Sequence, residues 1–378
     1  MKHLRALSQE IDWLLVLTAL LIVGTGLLYL ASASPARFST QALWVALGLL
    51  AMVGTVAAGY ARLIHYASAL YAAVLALLVL VFFLPAQRGM HGWISLPGFS
   101  IQPSELAKVA ALLMLARHLR FKDDQSTLPG LLFPMPFVLV PMAIIIRQPD
   151  LGTAVLLAPL LFLVLFASGA RKTHLAASLL AGAAALVPMW YFLLEEYQKR
   201  RFYALLYPER YQVREAYQLI MAKIAIGSGE LFGAGWGAGR TNTLGLLPER
   251  HTDFLFCVIA EEGGFARAAF LVLLYAVLVI LGLHAAAATR DPAGRLVAVG
   301  ASAMLGAQVI LNLSVAMGLL PTTGVPLPLA SYGGSSMVTS FLLVGLILSV
   351  GAEQPPVLHG ESFTGKMKRS TRRFRPAL

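Results

Sequence analysis

Ten stretches of this chain are too apolar for comfortable exposure to water: 11–31, 41–58, 67–84, 104–119, 130–147, 152–169, 175–194, 253–283, 296–318 and 335–351. A helix needs roughly 20 residues to cross a hydrocarbon layer about 30 Å thick, so most of these stretches are long enough, and the fourth and last fall short. In hydrocarbon every backbone N–H and C=O must find a partner within the chain, which restricts such stretches to helices. At 58% hydrophobic and 12% charged residues over 378 positions, no soluble core could cover its own surface. The expected fold is an all-α integral membrane protein with about ten transmembrane helices. Residues 1–351 form its polytopic domain, and 352–378 a basic tail. The first apolar run is expected to stay as a helix rather than be cleaved as a leader. A single cysteine, Cys257, excludes an intrachain disulfide and a multi-cysteine metal site.

Charge sets the orientation. With a cytoplasmic N-terminus, the inner segments carry Lys2, Arg5, Arg62, Arg117, Arg120, Lys122, Arg171, Lys172, Arg290, Arg295 and six basic tail residues, whereas the short outer loops carry only Arg37, Arg88 and Arg147. The positive-inside rule then places both termini in the cytoplasm. The tail between Lys366 and Arg375 suits anionic membrane lipid or serves as a solubilising end, and no nucleic-acid partner is expected. Residues 195–250 form a large extracytoplasmic loop between the seventh and eighth spans, with eight Lys/Arg and six Glu. Long loops escape the charge rule, so the orientation survives it. Within the loop, Val213, Tyr217, Leu219, Ile220 and Ile224 predict an amphipathic helix at the interface.

Several short segments carry candidate chemistry. An ionised carboxylate near the bilayer centre costs on the order of 3 kcal/mol, so acids in spans need partners or a task. Pro248-Glu249-Arg250-His251-Thr252-Asp253 opens the eighth span, and Glu261-Glu262 follow deeper. Asp253 at the rim can cap the next helix or accept a proton from a sugar hydroxyl. Glu261 and Glu262 are expected to pair with Arg267 or another span. Gln102 to Lys108 reads as a helix start in which Glu105 and Lys108 pair three residues apart, and Asp150 caps the segment after Pro149 or joins the site. The segment Gly227 to Arg240 is glycine-dense, a plain loop or a cradle for phosphate, but it has no P-loop ending. Gly318 to Ser336 is irregular and proline-rich, as a buried cavity wall would be.

These segments resemble, in order and spacing, the SEDS family (shape, elongation, division, sporulation) of polytopic peptidoglycan glycosyltransferases. The resemblance rests on Gln-Pro-Ser-Glu-Leu-Ala-Lys at 102–108, Pro-Asp-Leu-Gly-Thr at 149–153, Leu-Pro-Glu-Arg-His-Thr-Asp-Phe at 247–254, Glu-Glu-Gly at 261–263 and Pro-Leu-Pro-Leu-Ala-Ser-Tyr-Gly-Gly-Ser-Ser at 326–336. Lys223 to Gly229, Gly235-Trp236, Pro248-Glu249-Arg250 and Val325 to Pro328 look more like the elongation member RodA than the division member FtsW.

The resemblance implies polymerisation of lipid II at the outer face of the bacterial inner membrane, with undecaprenyl pyrophosphate leaving. It implies that Asp253 is the base, with Lys108 and Glu105 orienting that base or meeting pyrophosphate. Trp93 matches the tryptophan of the family's Arg-Trp-Ile motif, whose arginine position here is Gly92. Arg88, Arg210 or Arg240 could replace the missing cation, and Glu249, Ser331 and Ser335 are further substrate-binding candidates. A class B penicillin-binding protein transpeptidase is the implied partner. No metal site is assigned, although Glu249, Asp253 and Asp150 could hold Mg²⁺ or Mn²⁺ through oxygen. Rival readings are a lipid II flippase, a division-specific polymerase, and a scaffold that only activates the transpeptidase.

Overall fold

The computed structural model describes residues 11–85, 92–96, 99–120, 127–192, 194–211 and 215–352. Helices α1 (Trp13–Ala33), α2 (Phe38–Ala58), α3 (Tyr60–His65) and α4 (Ala67–Leu80) precede an antiparallel hairpin of β1 (Ile94–Leu96) and β2 (Phe99–Ile101). Then come α5 (Pro103–Leu119), α6 (Leu128–Leu132), α7 (Pro136–Arg147), α8 (Leu151–Ala167) and α9 (Lys172–Phe192). The chain continues through α10 (Glu196–Leu206), α11 (Glu215–Ser228) and α12 (Arg240–Thr243), and closes with α13 (Leu255–Ala288), α14 (Pro292–Ala316) and α15 (Gly334–Ala352). The hairpin, in which Ile94 pairs with Ile101, corrects the all-α expectation locally.

Each of the ten apolar stretches is mostly helical, the fifth being divided between α6 and α7. Among the described residues, seven helical stretches are long and apolar enough to cross a membrane: Trp13–Ala33, Pro35–Ala58, Leu128–Arg147, Lys172–Phe192, Leu255–Ala288, Pro292–Ala316 and Gly334–Ala352. Ala67–Phe83 and Leu151–Ala167 are apolar but shorter, and α5 has 17 residues that include Glu105, Lys108 and Arg117. Aspartates start three of the helices: Asp12, Asp150 and Asp291 each accept a backbone N–H from the following first turn. Helices α14 and α15 are buried along most of their length, with α14 against α13 and α8 and α15 against α2. Small residues allow this closeness, since Gly48 meets the Phe341 ring and Gly300 meets Leu112. In α9, by contrast, only Leu175 is buried.

Two expectations for residues 195–250 are corrected. The α11 face that packs inward is Ala216, Leu219, Ala222 and Ala225, against α13, while Ile224 is exposed and Val213 lies outside the described residues. Three alanines on this face allow a closer helix-to-helix contact than larger apolar side chains would. The glycine-dense segment is neither a free loop nor an open cradle. Helix α13 is broken at Gly264 (φ 70°, ψ −177°), a conformation essentially confined to glycine. The backbone groups freed there bond to the segment: Phe265 N–H donates to Glu230 O at 2.9 Å and Ala266 N–H to Leu231 O at 3.1 Å. In return Ala234 N–H reaches Glu261 O at 2.9 Å and Gly235 N–H reaches Glu262 O at 3.1 Å. The glycines permit backbone to lie on backbone, and a break in a buried helix requires such partners.

The polybasic tail, Lys2, Arg5, Lys122 and Arg88 lie outside the described residues.

Candidate active site

Asp253 sits in the turn before α13. The N-cap residue of that helix is Phe254, whose side chain makes no capping bond. Thr252 Oγ1 instead donates within the turn, to Glu249 O at 3.1 Å and to its Oε2 at 3.3 Å. What holds Asp253 is α14. Asn312 Nδ2 donates to Asp253 O at 2.8 Å and to Val325 O at 2.8 Å. One turn earlier, Gln308 Nε2 donates to Pro326 O at 2.9 Å and Ser336 Oγ at 3.3 Å. The two amides share one face of α14 and satisfy carbonyls that the proline-rich loop cannot pair by itself. That loop then passes the carboxylate, because a Cβ on Gly324 would stand 3.9 Å from Asp253 Oδ2.

Lys108 and Glu105 are buried, at 1% and 3% exposure. Lys108 Nζ lies 2.9 Å from both carboxylate oxygens and donates to Gln308 Oε1 at 3.1 Å. The pair therefore acts on the same loop as Asp253, through Gln308. Asp150 caps α8 as expected, Oδ1 accepting from Thr153 N–H at 3.1 Å, and its Oδ2 accepts from Gln102 Nε2 at 2.9 Å and Ser104 Oγ at 3.1 Å. It thus ties α8 to the start of α5.

The two serines named as substrate-binding candidates both accept backbone N–H groups, one from within the last loop and one from the start of α5. Ser331 Oγ accepts from Leu327 N–H at 3.1 Å, and Ser335 Oγ accepts from Gln102 N–H at 2.9 Å. Gln41 on α2 closes the loop from the other side, donating to Ser331 O at 3.0 Å and accepting from Gly333 N–H at 3.2 Å. A second cluster borders Asp253: Arg37 Nη1 donates to His251 Nε2, its guanidinium lies 5.1 Å over the Tyr332 ring, and Tyr332 N–H donates to His251 O at 2.9 Å. Glu249, at φ 53°, approaches His251 Nε2 to 3.8 Å.

The cation candidates separate. Arg210 is exposed over Tyr207 at 5.6 Å, and Arg240 is exposed at the start of α12; among the described contacts neither reaches the loop beside Asp253. Trp93 is half-buried just before β1. A Cβ at Gly92 would meet no heavy atom within 4 Å, so packing does not enforce glycine there. Among the described residues no three His, Cys, Asp or Glu side chains gather as metal ligands.

Glu261 and Glu262 support the fold rather than pair with Arg267. Glu261 Oε1 accepts from Thr241 N–H at 2.7 Å, and Glu262 Oε1 accepts from Ser32 Oγ at 2.6 Å and Asn242 Nδ2 at 2.7 Å. Arg267 donates to Tyr29 Oη at 3.2 Å. Sequence reasoning passed over Gln41, Gln308 and Asn312, although an amide in an apolar helix was itself a signal, since polar side chains there bond across helices.

The sequence profile of the family of FtsW, RodA and SpoVE, described as cell cycle protein, matches residues 11–355. Peptidoglycan glycosyltransferase MrdB of Escherichia coli K12 is 36% identical over 341 residues, covering 89% of this chain and 92% of that protein. A probable peptidoglycan glycosyltransferase FtsW of Geobacter metallireducens is 34% identical over 354 residues, covering 89% and 93%. A chain from a solved peptidoglycan synthase complex that coordinates polymerization and crosslinking superposes with a TM-score of 0.80 at 34% identity, covering 91% of this chain and 99% of that one. The crystal structure of Thermus thermophilus rod shape determining protein RodA gives 0.67 at 32% identity, covering 90% and 96%.

Proposed function

The chain belongs to the FtsW, RodA and SpoVE family, and from that premise we infer that it is a peptidoglycan glycosyltransferase that builds glycan strands during cell elongation. It is a multi-pass membrane protein. The charge asymmetry of its loops supports ten crossings with both termini in the cytoplasm and the site on the outer face.

The reaction joins two lipid II molecules. A hydroxyl of one disaccharide attacks the anomeric carbon of the other, a new C–O bond forms, and the C–O bond to pyrophosphate breaks. The electron pair leaves with undecaprenyl pyrophosphate, and the hydroxyl proton passes to a base. The observation that carries the assignment of that base is Asp253: a partly exposed carboxylate at the end of a long apolar helix, with its main chain clamped by Asn312. Partial burial suits a carboxylate to proton acceptance, and a clamped backbone avoids spending free energy on its alignment.

Lys108 and Glu105 are positioning residues in this scheme. Their bonds reach the Asp253 loop through Gln308, which supports orientation of the base over direct contact with pyrophosphate. The engagement of Glu261 Oε1 and Glu262 Oε1 with Thr241, Asn242 and Ser32 supports a structural role for the two acids over a transport path. The natural partner is a class B penicillin-binding protein transpeptidase, in keeping with the likeness to a complex that couples polymerization to crosslinking.

The test is glycan polymerisation from fluorescent lipid II by purified protein with the partner transpeptidase inactivated. Asp253→Ala should fold, bind its partner and lose activity by about 10²–10⁴-fold, the usual worth of general base catalysis. Equal polymer from both proteins would remove Asp253 from the reaction, and lipid II flipping without polymer would favour a transporter.

A further inference from the structure

The turn that carries Asp253 is gripped from several elements, and one of the grips depends on a proton. Arg37, in the turn between α1 and α2, donates from Nη1 to His251 Nε2. A guanidinium is always charged and only donates, so His251 meets it as a neutral imidazole with its own proton on Nδ1. The Arg37 guanidinium lies 5.1 Å over the Tyr332 ring, and that ring stands 5.8 Å from the imidazole. The main chain of the same histidine is held by Tyr332 N–H, which donates to His251 O at 2.9 Å. Arg250, one position earlier, returns the grip by donating from Nε to Ala33 O at 3.0 Å. The α1–α2 turn, the turn before α13 and the last loop therefore meet at one imidazole, two positions before Asp253.

Proton uptake reverses the contact with Arg37. An imidazolium presents an N–H where the lone pair was and sets a second positive charge against the guanidinium. The acid within reach is Glu249, whose Oε2 lies 3.8 Å from the same Nε2, longer than a hydrogen bond. Among the described contacts the charged and titratable groups that face His251 are Arg37 from the α1–α2 turn, Glu249 from its own turn and Tyr332 from the last loop. The turn thus has two arrangements available, a neutral ring on Arg37 or a charged ring on Glu249.

On the reading of Asp253 as the base, we propose that Arg37 and His251 are positioning residues that align the Asp253 turn only while the imidazole is neutral, so that polymerisation weakens as the outer medium acidifies. Their effect passes through the turn they hold, because Arg37 fixes the His251 side chain and Tyr332 fixes its carbonyl. A base displaced by a fraction of a bond length loses rate more than it loses affinity, so the effect falls on kcat.

The test is steady-state polymerisation of fluorescent lipid II by the full chain from roughly pH 5 to 8, with the partner transpeptidase inactivated and thermal unfolding measured on the same samples. Wild-type kcat should fall about 10-fold or more between about pH 7 and 5, where imidazoles titrate, with KM for lipid II changing less. His251→Gln offers an amide oxygen in place of Nε2 and takes no proton, so it should keep much of the neutral-pH kcat and lose this acid limb. His251→Ala has no acceptor for Arg37 and should be about 10-fold or more down at every pH. Arg37→Ala should be low and lose the limb as well, and Arg37→Lys should recover part of both. Glu249→Gln leaves the charged ring without its acid and should move the limb to lower pH. Asn312→Ala, which loosens Asp253 by another route, should lower kcat with the limb unmoved. A limb unchanged in both His251→Gln and Arg37→Ala, or a His251→Gln protein as inactive as His251→Ala throughout, overturns the assignment. Asp253→Ala separates it from the reading on which it rests: polymer that persists there with the limb intact removes Asp253 as the base and leaves Arg37 and His251 as the pH-sensitive pair.

Discussion

Removing the lysine of the buried Lys108–Glu105 pair should damage the protein more than removing both charges. At 2.9 Å and an effective dielectric near 20, the attraction between the two groups is about 6 kcal/mol. Desolvating each ion costs several kcal/mol, so the intact pair adds little net stability. Lys108→Met leaves Glu105, at 3% exposure, as a buried carboxylate with no cation, and leaves Gln308 Oε1 without its donor. The expected loss is about 3–5 kcal/mol. In Glu105→Gln/Lys108→Met the buried charge is gone, and the side-chain amide introduced in place of the carboxylate offers an N–H within the same pocket, so the loss should fall to roughly 1 kcal/mol. Thermal unfolding in one detergent, with both single variants and the double variant, gives the coupling energy directly. Lipid II polymerisation on the same samples asks whether the charge is used as such. Because the pair is read as acting through Gln308, the double variant should recover most of its stability and measurable polymer. A Lys108→Met protein as stable as wild type, or a double variant as unstable as the single, would refute the argument.

Asn312→Ala removes two hydrogen bonds, from Asp253 O and Val325 O, for about 1–3 kcal/mol, and should lower kcat more than it raises KM for lipid II. Steady-state polymerisation reads the split, and an unchanged kcat would detach Asn312 from the alignment of Asp253. Gly264→Ala places a side chain in a φ of 70° and drives Cβ into the backbone of Leu231 to Gly233, so little folded protein should survive extraction into detergent. Gly227→Ala, in α11 with nothing within 4 Å of its Cβ, is the matched control and should be neutral or slightly stabilising by thermal unfolding.

Much of the site could be read from order along the chain. The Glu105–Lys108 pair, the Asp150 cap and the structural use of Glu261 and Glu262 all follow from local spacing and from the cost of unpaired charge in an apolar segment. What was not legible were the contacts made between residues hundreds of positions apart. Gln41 meets Ser331 and Gly333, Arg37 meets His251, and Arg201 meets Thr322. No periodicity or motif carries that pairing, because it depends on which helices become neighbours.

By itself the sequence determined the class of the protein, a bundle of apolar helices in a membrane, because transfer of its hydrophobic stretches is a property of composition and length that no partner can reverse. It also marked the apolar stretches on which the long helices lie and which residues carry charge into the apolar region. Only the tertiary structure decided what those charges do. Gly264 breaks α13, the glycine-dense segment fills the break, and Gln308 and Asn312 bind Lys108 and Asp253 to one irregular loop. The physical reason is that a freed backbone group or a buried charge requires a partner but does not specify which one, and packing alone brings a particular partner within hydrogen-bond distance.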